Sequence, residues 1–348
     1  MSRQFPAFRG LAILLVVVNH AVTLSLETIA QHSLAVPQPA FRFSLVALRT
    51  LGIIAVPIFL FLSGGYLAYA LQASNPGHAY RTVGLGLRFI LVPYLLWSLI
   101  FYVLLALLYD ARFTFPEVIK NLLVGYPFNF IPLLVFFYLL APLLLPVARR
   151  LPWLLLGGIA AYQLFSVAVL QPGELGFTLP EWTIRLTLPG LRLTLALWGI
   201  YFPLGLVCGI HAESLTPRLK ALRAPLLAAA IAAYGAAVLH ELSLLYSPLA
   251  ELICPVLAVL LMPVIARESI PFARNLERLG IRAYGIYLTN LILLSLALES
   301  ARRWVPGLFS YLWLLVPLLI AWVLAAQAGM QMAVRKVLGR SRQRWVFG

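Results

Sequence analysis

An arginine and a histidine stand eleven residues apart in the first apolar run of the chain, FRGLAILLVVVNHA over residues 8–21. Eleven residues is almost three turns of α-helix, so Arg9 and His20 project from one face. They are then roughly 16 Å apart along the axis, about half the hydrocarbon thickness of a bilayer. Imidazole is the side chain best suited to take a proton near neutral pH. Guanidinium pairs with phosphate through a planar fork. His20 has a plainer reading as a packed, hydrogen-bonded core residue. Ionisable groups inside membrane spans are rare and tend to be functional, which keeps a proton-accepting role beside it. Arg9 reads as a snorkelling anchor, or as a ligand-facing cation. Its alignment with His20 favours the second. Asn19 points about 100° away from His20 and reads as a helix–helix hydrogen bond.

Other polar residues sit at spacings that fit the same picture. Ser63 precedes Gly64 and Gly65 in VPIFLFLSGGYL, where a second backbone or a ligand can approach closely. Arg88 opens RFILVPYLLWS and repeats the Arg9 pattern, with Arg81 one to two turns before it. Tyr284, Tyr287 and Asn290 fall on successive turns and make a polar stripe. Glu241 and Glu251 read as secondary bases or as interface residues. The two cysteines, Cys208 and Cys254, lie in apolar runs with neither disulfide nor metal spacing. The sequence carries no Ser-His-Asp arrangement, no Gly-rich phosphate loop and no metal-ligand cluster.

These residues have to be positioned by membrane helices. Of the 348 residues 62% are hydrophobic and 11% charged, and the mean hydropathy is +0.95. Soluble domains carry about 25% charged residues, so the composition excludes one and predicts an all-α integral membrane protein. Ten spans are predicted, at 8–27, 45–71, 85–109, 130–148, 151–170, 193–211, 222–240, 248–267, 282–300 and 308–334. The first run reads as a span and not as a cleaved signal peptide. Residues 1–334 then form one ten-span domain, and 335–348 a basic cytoplasmic tail lying on anionic lipid headgroups. Lysine and arginine number 18 on one side of this layout and 8 on the other. That asymmetry places both termini in the cytoplasm. The formal net charge of +15 is then mostly that of helix flanks, and a nucleic-acid partner is not expected.

Three segments on the opposite side are long enough to build a roof or to serve as interfacial spacers. Residues 28–44 hold Pro37 and Pro39 and look irregular. Residues 110–129 hold FPEVIKNLL, a short amphipathic stretch. Residues 171–192 hold FTLPEWTIRLTL, apolar and polar in alternation.

Arg9-Gly10-Leu11-Ala12 followed by His20 resembles the first-span signature of the acyltransferase-3 family of membrane acyltransferases. The likeness extends through VPIFLFLSGGYL (56–67), RFILVPYLLW (88–97), FYLLAPLL (137–144), WGIYFPLGLVCGI (198–210) and LGIRAYGIYLTN (279–290), in family order. The resemblance implies transfer of an acyl group, acetyl above all, from cytoplasmic acyl-CoA to a hydroxyl of a glycan or glycolipid. It implies a multi-pass protein of a bacterial inner membrane. His20 corresponds to the catalytic histidine and Arg9 to its partner. Arg88 matches the second arginine of an Arg-x-x-Arg pair whose first position here is Leu85, and the donor is expected on Arg9, Arg88 and Arg81. Where many members have His-x-Trp-Phe before the fourth span, this chain has Pro127-Phe128-Asn129-Phe130. Where many have histidine at the end of the ninth-span motif, it has Asn290. Ser63, Asn129, Tyr284, Tyr287 and Asn290 are the expected substrate contacts, and no metal is expected. No esterase-like domain follows the last span, so the membrane module is expected to act alone. The competing class is a glycan exporter, which predicts inverted repeats and broken helices that the sequence does not announce.

Overall fold

The computed structural model describes residues 4–34, 39–72 and 79–348, and no strand occurs among them. The described helices, in order, are α1 (Phe5–Gln31), α2 (Pro39–Thr50), α3 (Ala55–Gln72), α4 (Ala79–Tyr109), α5 (Phe115–Val124), α6 (Phe130–Arg150) and α7 (Pro152–Leu170). They continue with α8 (Arg192–Trp198), α9 (Tyr201–Ile210), α10 (Ala212–Ala221), α11 (Arg223–Glu241), α12 (Pro248–Leu261), α13 (Ala273–Trp304) and α14 (Leu312–Phe347). Among the described residues eight helical segments are long and apolar enough to cross a membrane.

Each of the ten predicted stretches returns as helix, but two depart from a plain span. The sixth is broken into α8 and α9, bent by 49°. The cause is local: Pro203 lacks the N–H that would bond the Gly199 carbonyl one turn back. Gln163 of α7 mends the break. Its Oε1 accepts from the Ile200 N–H at 2.9 Å, and its Nε2 donates to the Leu197 carbonyl at 3.3 Å. The expectation of unbroken helices is corrected here. The eighth stretch gives only Pro248–Val264, shorter than a full crossing helix. Pro263 lies in a 3-10 turn after α12 and cannot extend the α-helical hydrogen bonding.

The core is built around α1. Ala12, Ile13, Val17 and Ala21 are fully buried, facing α13, α3 and α14. The α1–α13 contact is backbone to backbone: a Cβ at Gly10 would strike the Leu276 carbonyl, and one at Gly280 the Pro6 carbonyl. Residue 10 lies beside 276 and residue 20 beside 290, so the two helices run parallel. A second close crossing joins α3 to α9, where Gly64 meets the Phe202 carbonyl and Gly205 that of Phe61. Phe137 stacks on Phe202 at 5.1 Å and ties α6 to that pair. By contrast, α11 shows most of its surface outward, as a lipid-facing helix does. An Arg49–Glu241 ion pair links it to α2.

Within 110–129, FPEVIKNLL is α5, as its amphipathic pattern predicts. The Thr114 N–H and hydroxyl both donate to Glu117 Oε2, at 2.7 and 2.8 Å, completing its N-terminal cap. Tyr94 and Tyr102 of α4 hold this segment by donating to the Leu122 and Tyr126 carbonyls, each at 2.6 Å. The alternating stretch near 177–188 contains a 3-10 turn over Glu181–Leu186. Of the predicted irregular segment 28–44, residues 35–38 lie outside the described residues, and the remainder ends α1 and starts α2.

Candidate functional site

Helix periodicity brings His20 and Asn290 face to face. His20 Nδ1 lies 2.6 Å from Asn290 Oδ1. Asn290 is fully buried, and its Nδ2 donates to the carbonyls of Tyr287 at 2.5 Å and Ile286 at 3.3 Å. An amide nitrogen facing two carbonyls fixes which end of the side chain is oxygen. An oxygen can only accept, so the proton on neutral His20 is assigned to Nδ1. That leaves the Nε2 lone pair free, as a base requires. Asn290, expected as a substrate contact, lines neither cavity described below and bonds His20.

His20 lines a cavity of about 730 Å³. Asn129 at the start of α6 and Tyr287 line it too, as do Gln171, Arg192, Trp198 and Glu251. Pro127 and Asn129 come from the segment 110–129; Gln171, Leu175 and Arg192 come from 171–192. Both segments therefore wall the cavity. Asn19 donates to the Arg49 carbonyl at 3.0 Å, the inter-helix bond its position predicts.

Arg9 opens into a second cavity, of about 220 Å³, together with Ser63, Tyr66, Tyr138, Tyr284 and Tyr287. Arg9 has no ion pair among the described residues. Tyr284 donates to the Ile90 carbonyl at 2.6 Å, which holds its ring against α4. Two residues, Phe130 and Tyr287, line both cavities. Their rings meet edge to face at 4.6 Å, and Phe59 stacks on Phe130 at 6.1 Å. The face shared by Arg9 and His20 is thus divided by an aromatic septum.

Of the predicted residues, Arg9, His20, Ser63, Asn129, Tyr284 and Tyr287 line one cavity or the other. Arg81 and Arg88 do not; both are exposed on α4. The neighbours of Arg88, Phe89 and Ile90, do reach the smaller cavity. Arg192, Gln171, Trp198, Tyr66 and Tyr138 were not singled out from sequence. Tyr66 sits one turn after Ser63 in the Ser-Gly-Gly motif, and that spacing was the available signal.

The last turn of α14 folds back toward the smaller cavity. Gly339 breaks the helix with φ 82° and ψ 166°, a left-handed φ that glycine accepts freely. Beyond it Trp345 packs on Phe89 at 5.2 Å and Phe347 on Trp97 at 5.7 Å. Trp97 Nε1 donates to the Val346 carbonyl at 2.8 Å, and Gly348 reaches the wall beside Tyr284. The aromatic end of the basic tail is therefore packed on α4 and α13. Among the described residues no group of three metal-ligating side chains comes together.

A histidine held by a hydrogen bond at the wall of a large cavity is suited to moving a proton off a hydroxyl. The chain matches the acyltransferase-3 family, described as an acyltransferase domain, over residues 5–327. It belongs to that family, and the family's members are membrane acyltransferases. No curated protein and no solved structure matches the chain.

Proposed function

We propose that the protein transfers an acyl group, acetyl foremost, from acyl-CoA to a hydroxyl of a glycan or glycolipid, with His20 as general base. The observation that carries this reading is the His20–Asn290 pair, with Nε2 left free at the edge of a large cavity. Acyl-CoA approaches from the cytoplasmic end, where both termini lie by the arginine and lysine asymmetry of a bacterial inner-membrane protein. Its phosphates stay in water on exposed Arg88 and Arg81, with Arg9 deeper along the pantetheine arm. The thioester passes the Phe130–Tyr287 septum to reach His20. The acceptor enters the 730 Å³ cavity from the other side, with Asn129 among its contacts.

His20 Nε2 takes the proton of the acceptor hydroxyl as the oxygen attacks the thioester carbonyl. The C–S bond breaks, and the departing CoA thiolate recovers that proton from His20. An acyl-histidine intermediate is the covalent variant of the same scheme. Radiolabelled acetyl-CoA, mixed with the purified protein and a glycan acceptor, will yield labelled glycan. His20→Ala will lower that rate by a factor of about 10² to 10⁴, the usual worth of a general base. Near-normal turnover by a folded His20→Ala protein refutes the assignment. Glycan flux across vesicles without covalent labelling identifies an exporter instead.

A further inference from the structure

The larger cavity holds two charged groups for which proton transfer at His20 has no use. Arg192, first residue of α8, and Glu251, in the first turn of α12, both line it. Neither forms an ion pair among the described residues. Arg192 Nε is shielded from solvent and has no acceptor within reach. The side chain as a whole is half-buried and lines the cavity, so it offers an unpaired cation to an anionic ligand there. The same cavity is lined by Gln171, an amide able to pair with hydroxyls, and by Trp198, an aromatic ring of the kind sugars pack on.

Resting on the reading of this cavity as the acceptor side, we propose that the acceptor is anionic. It is a glycosyl unit bearing a carboxylate or a phosphate, whose charge docks on Arg192 while its hydroxyls donate to Glu251. Both anions suit a guanidinium fork, and their shared chemistry is what Arg192 selects. Glu251 adds discrimination, since it repels an anion placed at the wrong end of the cavity.

The test is calorimetric titration of the purified protein, without acyl-CoA, using three probes: digalacturonic acid, glucose 1-phosphate and cellobiose. One acidic probe will bind at least about tenfold more tightly than cellobiose, the worth of one charge-assisted hydrogen bond. Which of the two does so distinguishes carboxylate from phosphate. Arg192→Gln will remove the preference and leave cellobiose affinity unchanged; Arg192→Lys will keep part of it. If Arg192→Gln fails to fold, added salt serves in its place, weakening the acidic probe and not cellobiose. Equal binding of all three probes, no binding of any, or a preference that survives both Arg192→Gln and salt overturns the proposal. Acyl transfer to a neutral glycan alone sinks the anionic subsite and leaves the transferase standing. Charge-selective binding without any acyl transfer does the reverse.

Discussion

One hydrogen bond fixes the tautomer of His20. Asn290 Oδ1 cannot donate, so it holds the His20 proton on Nδ1 and leaves the Nε2 lone pair unprotonated. Asparagine also cannot change charge with pH, so this orientation is independent of protonation elsewhere. Replacing Asn290 with leucine removes the acceptor and frees the ring and its tautomer. We expect kcat to fall by about 10²-fold or more, with the Km for acyl-CoA within about twofold. An unchanged kcat shows that Asn290 does not position the base. This part of the site was legible in the sequence. Arg9, His20, Ser63, Tyr284, Tyr287 and Asn290 lie on long single helices, where spacing alone decides which side chains share a face. What spacing did not give was the role of Asn290, because a stripe on α13 does not say which stripe of α1 it meets.

At the scale of elements, the structure depends on three local devices. The first is the Gly10–Gly280 approach, which sets the register of α1 on α13 and hence His20 opposite Asn290. The second is the last turn of α14, held by Trp345 and Phe347 against α4. Phe347 is nearly fully buried, and truncating a buried phenylalanine costs about 3–5 kcal/mol. In a segment beyond the Gly339 break that cost falls on the turn alone. Phe347→Ala will therefore speed tryptic cleavage after Arg344 at least about tenfold, with the other sites unaffected. Equal cleavage of the two proteins contradicts the packing.

The third device is the cap of α5. Glu117 accepts two hydrogen bonds from Thr114, chiefly that from the backbone N–H, which lowers its pKa below the ordinary 4.5. A carboxyl depressed in the folded state stabilises above its ordinary value, and that stability is lost as pH falls through the folded value. Protection of the α5 amides from exchange, relative to an unfolded peptide at the same pH, will weaken as pH falls below about 4.5 in the native protein and lose that pH step in Glu117→Gln. A step that persists in the variant assigns it to another group.

The whole molecule shows where sequence reading stopped. Among the described residues, the eight helices long and apolar enough to cross all fall on stretches that hydropathy picks out, because apolar length is read directly from composition. Hydropathy did not find the break in the sixth stretch. A single proline, Pro203, is common enough in membrane helices to pass unmarked, and the glutamine that mends the gap belongs to another helix. The larger cavity was invisible for the same reason. Its walls come from α1, two outer segments, α8 and α12, which only tertiary packing assembles. From sequence Arg192 is one more flanking charge, and Glu251 fits either a base or an interface residue, with nothing local to decide.

The account depends on an acyl chain crossing from the Arg9 cavity to the His20 cavity through the Phe130–Tyr287 wall. A structure of the protein with a non-hydrolysable thioether analogue of acetyl-CoA tests that claim most directly. The account predicts the adenosine phosphates near Arg88, the arm past Arg9, and the analogue's carbonyl carbon within about 4 Å of the edge of His20 that bears Nε2. An analogue bound wholly on one side of an unmoved Phe130–Tyr287 wall, with His20 facing an empty cavity, contradicts it.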